Sequence, residues 1–129
     1  MICRGVRGAT GVDVNEETVI VQATRDLLER IVTVNAIPVN DIVSVIFTVT
    51  PDLSAAYPAR AARDLGWRLT PLLCMQDVAV QDSLPRCIRV LMHWNTDRPV
   101  EQIQHVYLGP ARALRPDLVQ EVDDEHEYA

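Results

Sequence analysis

The sequence contains no lysine, and all twelve of its basic residues are arginine. Aromatic residues make up only 5% of the chain, so alanine, valine, leucine and isoleucine must build its core. Three scattered cysteines, Cys3, Cys74 and Cys87, argue against a disulfide framework, and their spacing to the histidines matches no common zinc pattern. No apolar run approaches membrane-spanning length and no signal segment is recognisable, so we expect a soluble, cytoplasmic protein.

The charge of the chain is unevenly distributed. Eighteen acidic residues give a formal net charge of −6, and six of them lie in 117–129, where there is no arginine. Residues 1–116 are therefore neutral overall and offer no basic surface, so we expect neither a nucleic-acid partner nor a membrane partner. We expect residues 1–118 to form one domain and 119–129 to be an acidic, disordered tail.

Apolar patterning predicts a mixed α/β domain with about five strands, one long helix and short helices. The predicted strands cover 2–12, 42–50, 68–75, 86–94 and 104–108. The long helix is predicted to run from an N-cap at Asn15 to about Asn35, and a short helix from Pro58 to Leu65. One long helix can cover only one face of the sheet, so we expect self-association to bury the other face.

Arg89 lies in the middle of the apolar run Cys87-Ile88-Arg89-Val90-Leu91-Met92, which is typical of an inner strand. A guanidinium cannot lose its proton, and burying it without an anionic partner is costly. Arg7 repeats this situation in the first strand. The two arginines indicate either a pocket for a small anion or a pair of structural ion pairs, and the pattern alone favours neither.

Other candidates have an ordinary structural explanation beside a functional one. Asp77 could balance the arginines or bind a ligand hydroxyl, but from the sequence alone an ordinary loop acid is the better explanation. Tyr107 in a strand is usually a core residue. Arg60 and Arg63 share one side of the short helix, where arginines are usually solvated, although near a cleft they could gather anions. Because there is no Ser-His-Asp pattern, nucleotide-binding glycine loop or acid–base pair, any chemistry is expected to avoid proton transfer and covalent intermediates.

Several motifs occur in register along the chain: Arg4-Gly5-Val6-Arg7-Gly8-Ala9-Thr10, Thr50-Pro51-Asp52-Leu53, Cys74-Met75-Gln76, Cys87-Ile88-Arg89-Val90, His105-Val106-Tyr107-Leu108 and Leu114-Arg115-Pro116-Asp117-Leu118. Over about residues 1–118 the chain resembles the monofunctional chorismate mutases of the trimeric α/β class (AroH type). The resemblance implies a homotrimeric pseudo-α/β-barrel with active sites between subunits. It also implies the Claisen rearrangement of chorismate to prephenate, in phenylalanine and tyrosine biosynthesis, with no cofactor and no metal.

The same resemblance implies roles for individual residues. Arg89 would bind the ether oxygen and a carboxylate, Arg7 would hold a carboxylate with help from Tyr107, and Cys74 and Asp77 would face the substrate hydroxyl. Leu73, Met75 and Gln76 would line the pocket. Its mouth would be formed by Tyr57, Arg60 and Arg63 of the adjacent subunit. A closing segment would include Leu114 and Arg115. The family usually has glutamate where this chain has Asp77, so the shorter carboxylate either falls short of the hydroxyl or reaches it through water.

A fixed cation beside the ether oxygen suits this reaction, because breaking the C–O bond places negative charge there. One such donor is typically worth roughly 3–4 kcal/mol. Two alternatives stay open: a non-catalytic module that binds a small carboxylate, and a trimeric imine or enamine deaminase of similar architecture. Arg7, Cys74 and Arg89 together with Tyr107 favour the rearrangement.

Overall fold

The structure, a computed structural model, describes residues 2–118. The predicted disordered tail, 119–129, lies outside the described residues. Five strands form the sheet: β1 (Cys3–Gly11), β2 (Ile42–Val49), β3 (Leu72–Gln76), β4 (Cys87–Asn95) and β5 (Val106–Tyr107). The helices are α1 (Glu17–Asn35) and α2 (Ala59–Asp64), supplemented by short 3₁₀ turns. In the part of the chain that the structure describes, no helix has the length and apolarity needed to cross a membrane.

The sheet has the order β3-β2-β4-β1-β5, which confirms the predicted mixed five-stranded sheet. Strand β4 lies at its centre and runs antiparallel to both β1 and β2. The edge strands are β3, which is parallel to β2, and β5, which is parallel to β1. Arg89 is opposite Ala9 on one neighbour and Thr48 on the other. The prediction that Arg89 lies on an inner strand is therefore confirmed.

Helix α1 covers one face of this sheet. Its apolar positions recur at helical spacing, and Leu27, Leu28 and Ile31 are completely buried in the main core. The sheet buries its alternate positions on the same side, so every second residue of β4 is buried. Val90, Met92 and Trp94 belong to the main core, and Ile88 belongs to a smaller cluster with Ile20 of α1. The single domain is thus built as one helical layer against one sheet.

Within residues 2–118, no helix lies over the opposite face of the sheet, which is partly exposed in the protomer. Leu73, Met75 and Leu91 are exposed on it, and the Arg89 side chain is 49% exposed. The sequence pattern indicated a buried guanidinium, and that expectation is wrong for the single chain. The alternation of the strand points Arg89 away from α1, so an apolar sequence neighbourhood does not by itself bury its side chain.

Several element boundaries differ from the prediction for local reasons. Asn15 is not the N-cap of α1, because Glu16 holds that position; the Asn15 side-chain oxygen instead accepts the N–H groups of Ser54 and Ala55, at 2.9 and 3.0 Å. Strand β3 begins only after Pro71, since proline has no N–H for the ladder. Strand β5 is shorter than predicted.

Gly8 permits the close approach of α1 to β1. A Cβ atom at this position would lie 2.6 Å from Ile31 Cδ1 and 3.2 Å from Leu27 Cδ1. We expect Gly8→Ala to lower the free energy of unfolding by about 1–3 kcal/mol, because the helix side chains must shift. Gly5→Ala is the matched control, since its nearest atom would be Leu91 Cδ1 at 3.4 Å. Urea unfolding at one protein concentration measures both, and equal losses would contradict the packing argument.

Candidate functional site

The two strand arginines share the sheet face that α1 leaves open. In the β1–β4 register Arg7 lies opposite Leu91 and Ala9 lies opposite Arg89, so the arginines are diagonal neighbours on adjacent strands. They line a cleft of about 350 Å³. Its other lining residues include Thr48, Met75, Leu91 and Tyr107. The cleft therefore combines two cations with an apolar wall, as a small anionic ligand requires.

Arg89 forms an ion pair with Asp77, in which Nη2 donates to the carboxylate oxygen Oδ1. That hydrogen bond raises the pKa of Arg89 further. The Asp77 side chain is only 13% exposed, and its backbone N–H donates to Val49 O at 2.8 Å. Arg89 thus has an anionic partner within the protomer, and half of its side chain remains accessible in the cleft. This arrangement is compatible with both interpretations of the arginine.

Tyr107 lies beside the arginines, on the edge strand β5. Its side chain is buried, and burial raises the pKa of the hydroxyl, although Arg7, Arg115 and Arg89 act against this. The hydroxyl therefore keeps its proton at neutral pH and is able to donate a hydrogen bond.

A second cleft, of about 580 Å³, holds the α2 candidates. Tyr57, Arg60 and Arg63 line it together with Cys74, Met75 and Gln76. In the protomer Arg60 pairs with Glu17 at 2.9 Å, and both side chains are about half exposed. Such an exposed pair contributes little to stability.

The alternation of β3 separates two groups of candidates that the resemblance placed together. Leu73 and Met75 lie on the open face with Arg89, whereas the Cys74 side chain faces α2. Cys74 and Asp77 therefore do not point into the same space of one protomer. Met75 lines both clefts, at the edge of the sheet where they come nearest.

The closing segment lies at the other end of the Arg89 cleft. Leu114 lines a space of about 250 Å³ with Asp77, Cys87 and Arg89. Arg115 pairs with Asp117, Nη2 to Oδ2, at 2.9 Å. The structure thus brings Arg7, Asp77, Arg89 and Tyr107 together with this segment.

The two thiols near these clefts are poor nucleophiles. Burial raises the pKa of Cys87 to about 11 and also raises that of Cys74. Because the thiolate is the reactive form, these raised pKa values lower the reactivity of both thiols at neutral pH.

Sequence reasoning missed two residues near the arginines. Thr48 lines the Arg89 cleft, and its Oγ1 is buried without a hydrogen-bond partner. His105 accepts the backbone N–H of Arg7 through its ring Nδ1, at 2.9 Å. Its place two residues before Tyr107 in a predicted strand was the available signal, but the pairing of β5 with β1 was not visible in the sequence.

Similarity to known proteins agrees with this geometry. The profile of the family described as chorismate mutase type I matches residues 3–118. The chain is 47% identical to the chorismate mutase AroH of Bacillus subtilis over 119 residues, which covers 92% of this chain and 94% of that protein. It is 50% identical to chorismate mutase AroH of Thermus thermophilus over 116 residues, 89% of this chain and 95% of that protein.

Structural similarity gives the same result. A solved structure of a chorismate mutase from Clostridium thermocellum superposes with a TM-score of 0.84 at 48% identity, covering 85% of this chain and 98% of that one. Nothing among these similarities favours the deaminase or the non-catalytic alternative. Identity at this level over nearly the whole length fixes the family, and the chain belongs to the type I chorismate mutases.

Proposed function

We propose that this chorismate mutase, an isomerase of aromatic amino-acid biosynthesis, converts chorismate to prephenate in the cleft around Arg89. The observation that carries the assignment is the presence of Arg7, Arg89 and the protonated Tyr107 on one open sheet face. Chorismate is a dianion, and arginine forks match carboxylates in shape and charge. Incubating the purified protein with chorismate and measuring prephenate tests the activity; unchanged chorismate would overturn it.

Arg89 is the group we assign to the developing charge on the ether oxygen. It is fixed from one side by Asp77 and by its central strand, so little reorganisation is needed when charge appears. Arg7 and Tyr107 would hold a carboxylate and keep the flexible substrate in its compact reactive shape. No side chain forms a covalent bond to the substrate in this scheme.

Asp77 has a different proposed task. Its pairing with Arg89 through Oδ1 orients the guanidinium, and its other oxygen, Oδ2, would accept a hydrogen bond from the substrate hydroxyl. The carboxylate is one methylene shorter than glutamate, so a direct bond to the hydroxyl competes with its bond to Arg89. A bridging water would allow both contacts.

We further propose a homotrimer with the site completed by a neighbouring subunit. The open sheet face exposes apolar side chains around the arginines, and such a patch is typical of an interface. Arg60 and Arg63 lie with Cys74 on the α2 side of the sheet, away from the Arg89 of their own protomer. They would therefore reach a substrate bound at Arg89 only from the adjacent subunit.

Mixed oligomers test this shared site. Arg89→Gln and Arg63→Ala subunits, co-expressed in equal amounts, should regain activity, because about a quarter of the sites in random trimers take both native residues from different subunits. Light scattering should give the mass of a trimer.

The matched control pairs Arg89→Gln with Arg7→Ala. These two residues line the same cleft of one protomer, so no mixed site contains both. We expect no recovery for this pair. Equal recovery of activity in both mixtures, or no recovery in the first, would contradict the proposal that α2 contributes residues to the site of the neighbouring subunit.

We propose the cytoplasm as the site of action. Cys3, Cys74 and Cys87 are free thiols, including the exposed Cys3, as expected for a reducing compartment.

A further inference from the structure

His105 supplies a hydrogen-bond acceptor where the β1–β5 ladder ends. The ladder pairs Gly8 with Val106 and Ala9 with Tyr107. One residue earlier, the N–H of Arg7 donates to the His105 ring Nδ1 at 2.9 Å. The nearby backbone carbonyl of Gln104 accepts from Asn35 instead. A side chain therefore replaces the missing backbone acceptor at the residue that carries the proposed carboxylate ligand.

The backbone before His105 is held firmly to the end of α1. Asn35 is completely buried, and its amide both donates to Gln104 O and accepts from Gln104 N–H, each at 2.8 Å. The Asn35 carbonyl accepts from Arg98 Nη1, also at 2.8 Å. The two hydrogen bonds to Asn35 fix the backbone of Gln104 and hence restrict the positions that the His105 ring can adopt.

The contact requires a neutral imidazole, because only an unprotonated Nδ1 can accept a hydrogen bond. The charged groups that face the ring are the guanidinium of Arg7 on β1 and that of Arg115 in the C-terminal segment, whose partner is Asp117. From α1, Asn35 binds the backbone of the preceding residue, Gln104, through its uncharged amide. Burial, and then the two arginines, lower the pKa of His105. Its ordinary value is about 6.5, so the ring is neutral at neutral pH.

We infer that His105 is a positioning residue for Arg7, and that it holds the backbone of Arg7 in place only in its neutral form. This inference rests on the proposed role of Arg7 as a carboxylate ligand. Protonation turns Nδ1 into a donor that faces another donor, the Arg7 N–H, and adds a cation beside two arginines. The contact then breaks, so binding of the substrate carboxylate weakens as the pH falls through the pKa of His105.

Two substitutions separate the acceptor from the titration. His105→Leu removes the acceptor, and we expect it to raise KM for chorismate about fivefold to tenfold, with a smaller change in kcat. His105→Asn places an amide oxygen near the position of Nδ1, so it should restore KM at neutral pH. Wild-type kcat/KM should show an acid limb with a pKa below about 6.5, and this limb should be absent from His105→Asn.

A double-mutant cycle distinguishes the inference from the role of Arg7 itself. If His105 acts through Arg7, then His105→Leu should change KM far less in an Arg7→Ala background than in the wild type. The positioning role would be overturned if the effects of His105→Leu and Arg7→Ala on KM were independent and multiplied in the double variant. It would also be overturned if the acid limb persisted in His105→Asn. An unchanged KM in Arg7→Ala alone would instead overturn the proposed carboxylate ligand. If His105→Leu does not fold, the pH dependence of kcat/KM in His105→Asn tests the positioning role by itself.

Discussion

Replacing Arg89 by glutamine is expected to lower kcat for chorismate by about 10²–10³-fold, the usual cost of losing one preorganised donor at a developing negative charge. Glutamine retains a polar side chain but not the cation. The substitution should leave the fold intact, since the Arg89 side chain is half exposed in the protomer. Steady-state kinetics on the purified protein, with circular dichroism to verify folding, measures the effect.

Two variants serve as controls for Arg89. Arg25→Gln removes an equally exposed guanidinium that pairs with Glu29 on the surface of α1, and its kcat should stay at the wild-type value. Arg89→Lys keeps the charge without the fork, so its kcat should fall between those of wild type and Arg89→Gln. A loss in Arg25→Gln similar to that in Arg89→Gln would point to a general effect of arginine removal.

Replacing Arg7 by alanine should raise KM for chorismate by about 10–100-fold, because a hydrogen bond to a charged group is worth about 1.5–3 kcal/mol. The carboxylate keeps its charge during the rearrangement, so this contact stabilises substrate and transition state alike and kcat should change less. Arg4→Ala is the control: Arg4 lies on the same strand, but its side chain donates to Arg98 O on the other side of the sheet. A fall in kcat with unchanged KM would contradict carboxylate binding by Arg7.

The fold could be predicted largely because its signals are local. The β-branched run of β2, the helical spacing in α1, and Pro58 with Gly66 around α2 each specify their own element. Alternation along β4 also placed Cys87, Arg89 and Leu91 on one face correctly. These patterns do not depend on distant parts of the chain.

What the sequence left undetermined depends on contacts between distant segments. The pairing of Arg89 with Asp77, the placement of Cys74 beside Arg63, and the acceptance of the Arg7 N–H by His105 all follow from strand order and register. Asn15 lost its predicted capping role to a contact with the loop at Ser54, 39 residues away. The burial of Arg89 is undetermined for a further reason, since the proposed neighbouring subunit would change how much of the open face is exposed.

We propose that the Arg89 cation binds the transition state more strongly than it binds the ground state. The most direct test compares kcat of wild type and Arg89→Gln with the affinity of each for prephenate, the unreactive product, measured by calorimetry. We expect kcat to fall by about 10²–10³-fold while the affinity changes far less. An affinity loss as large as the loss in kcat/KM, with kcat at saturating chorismate unchanged, would contradict it.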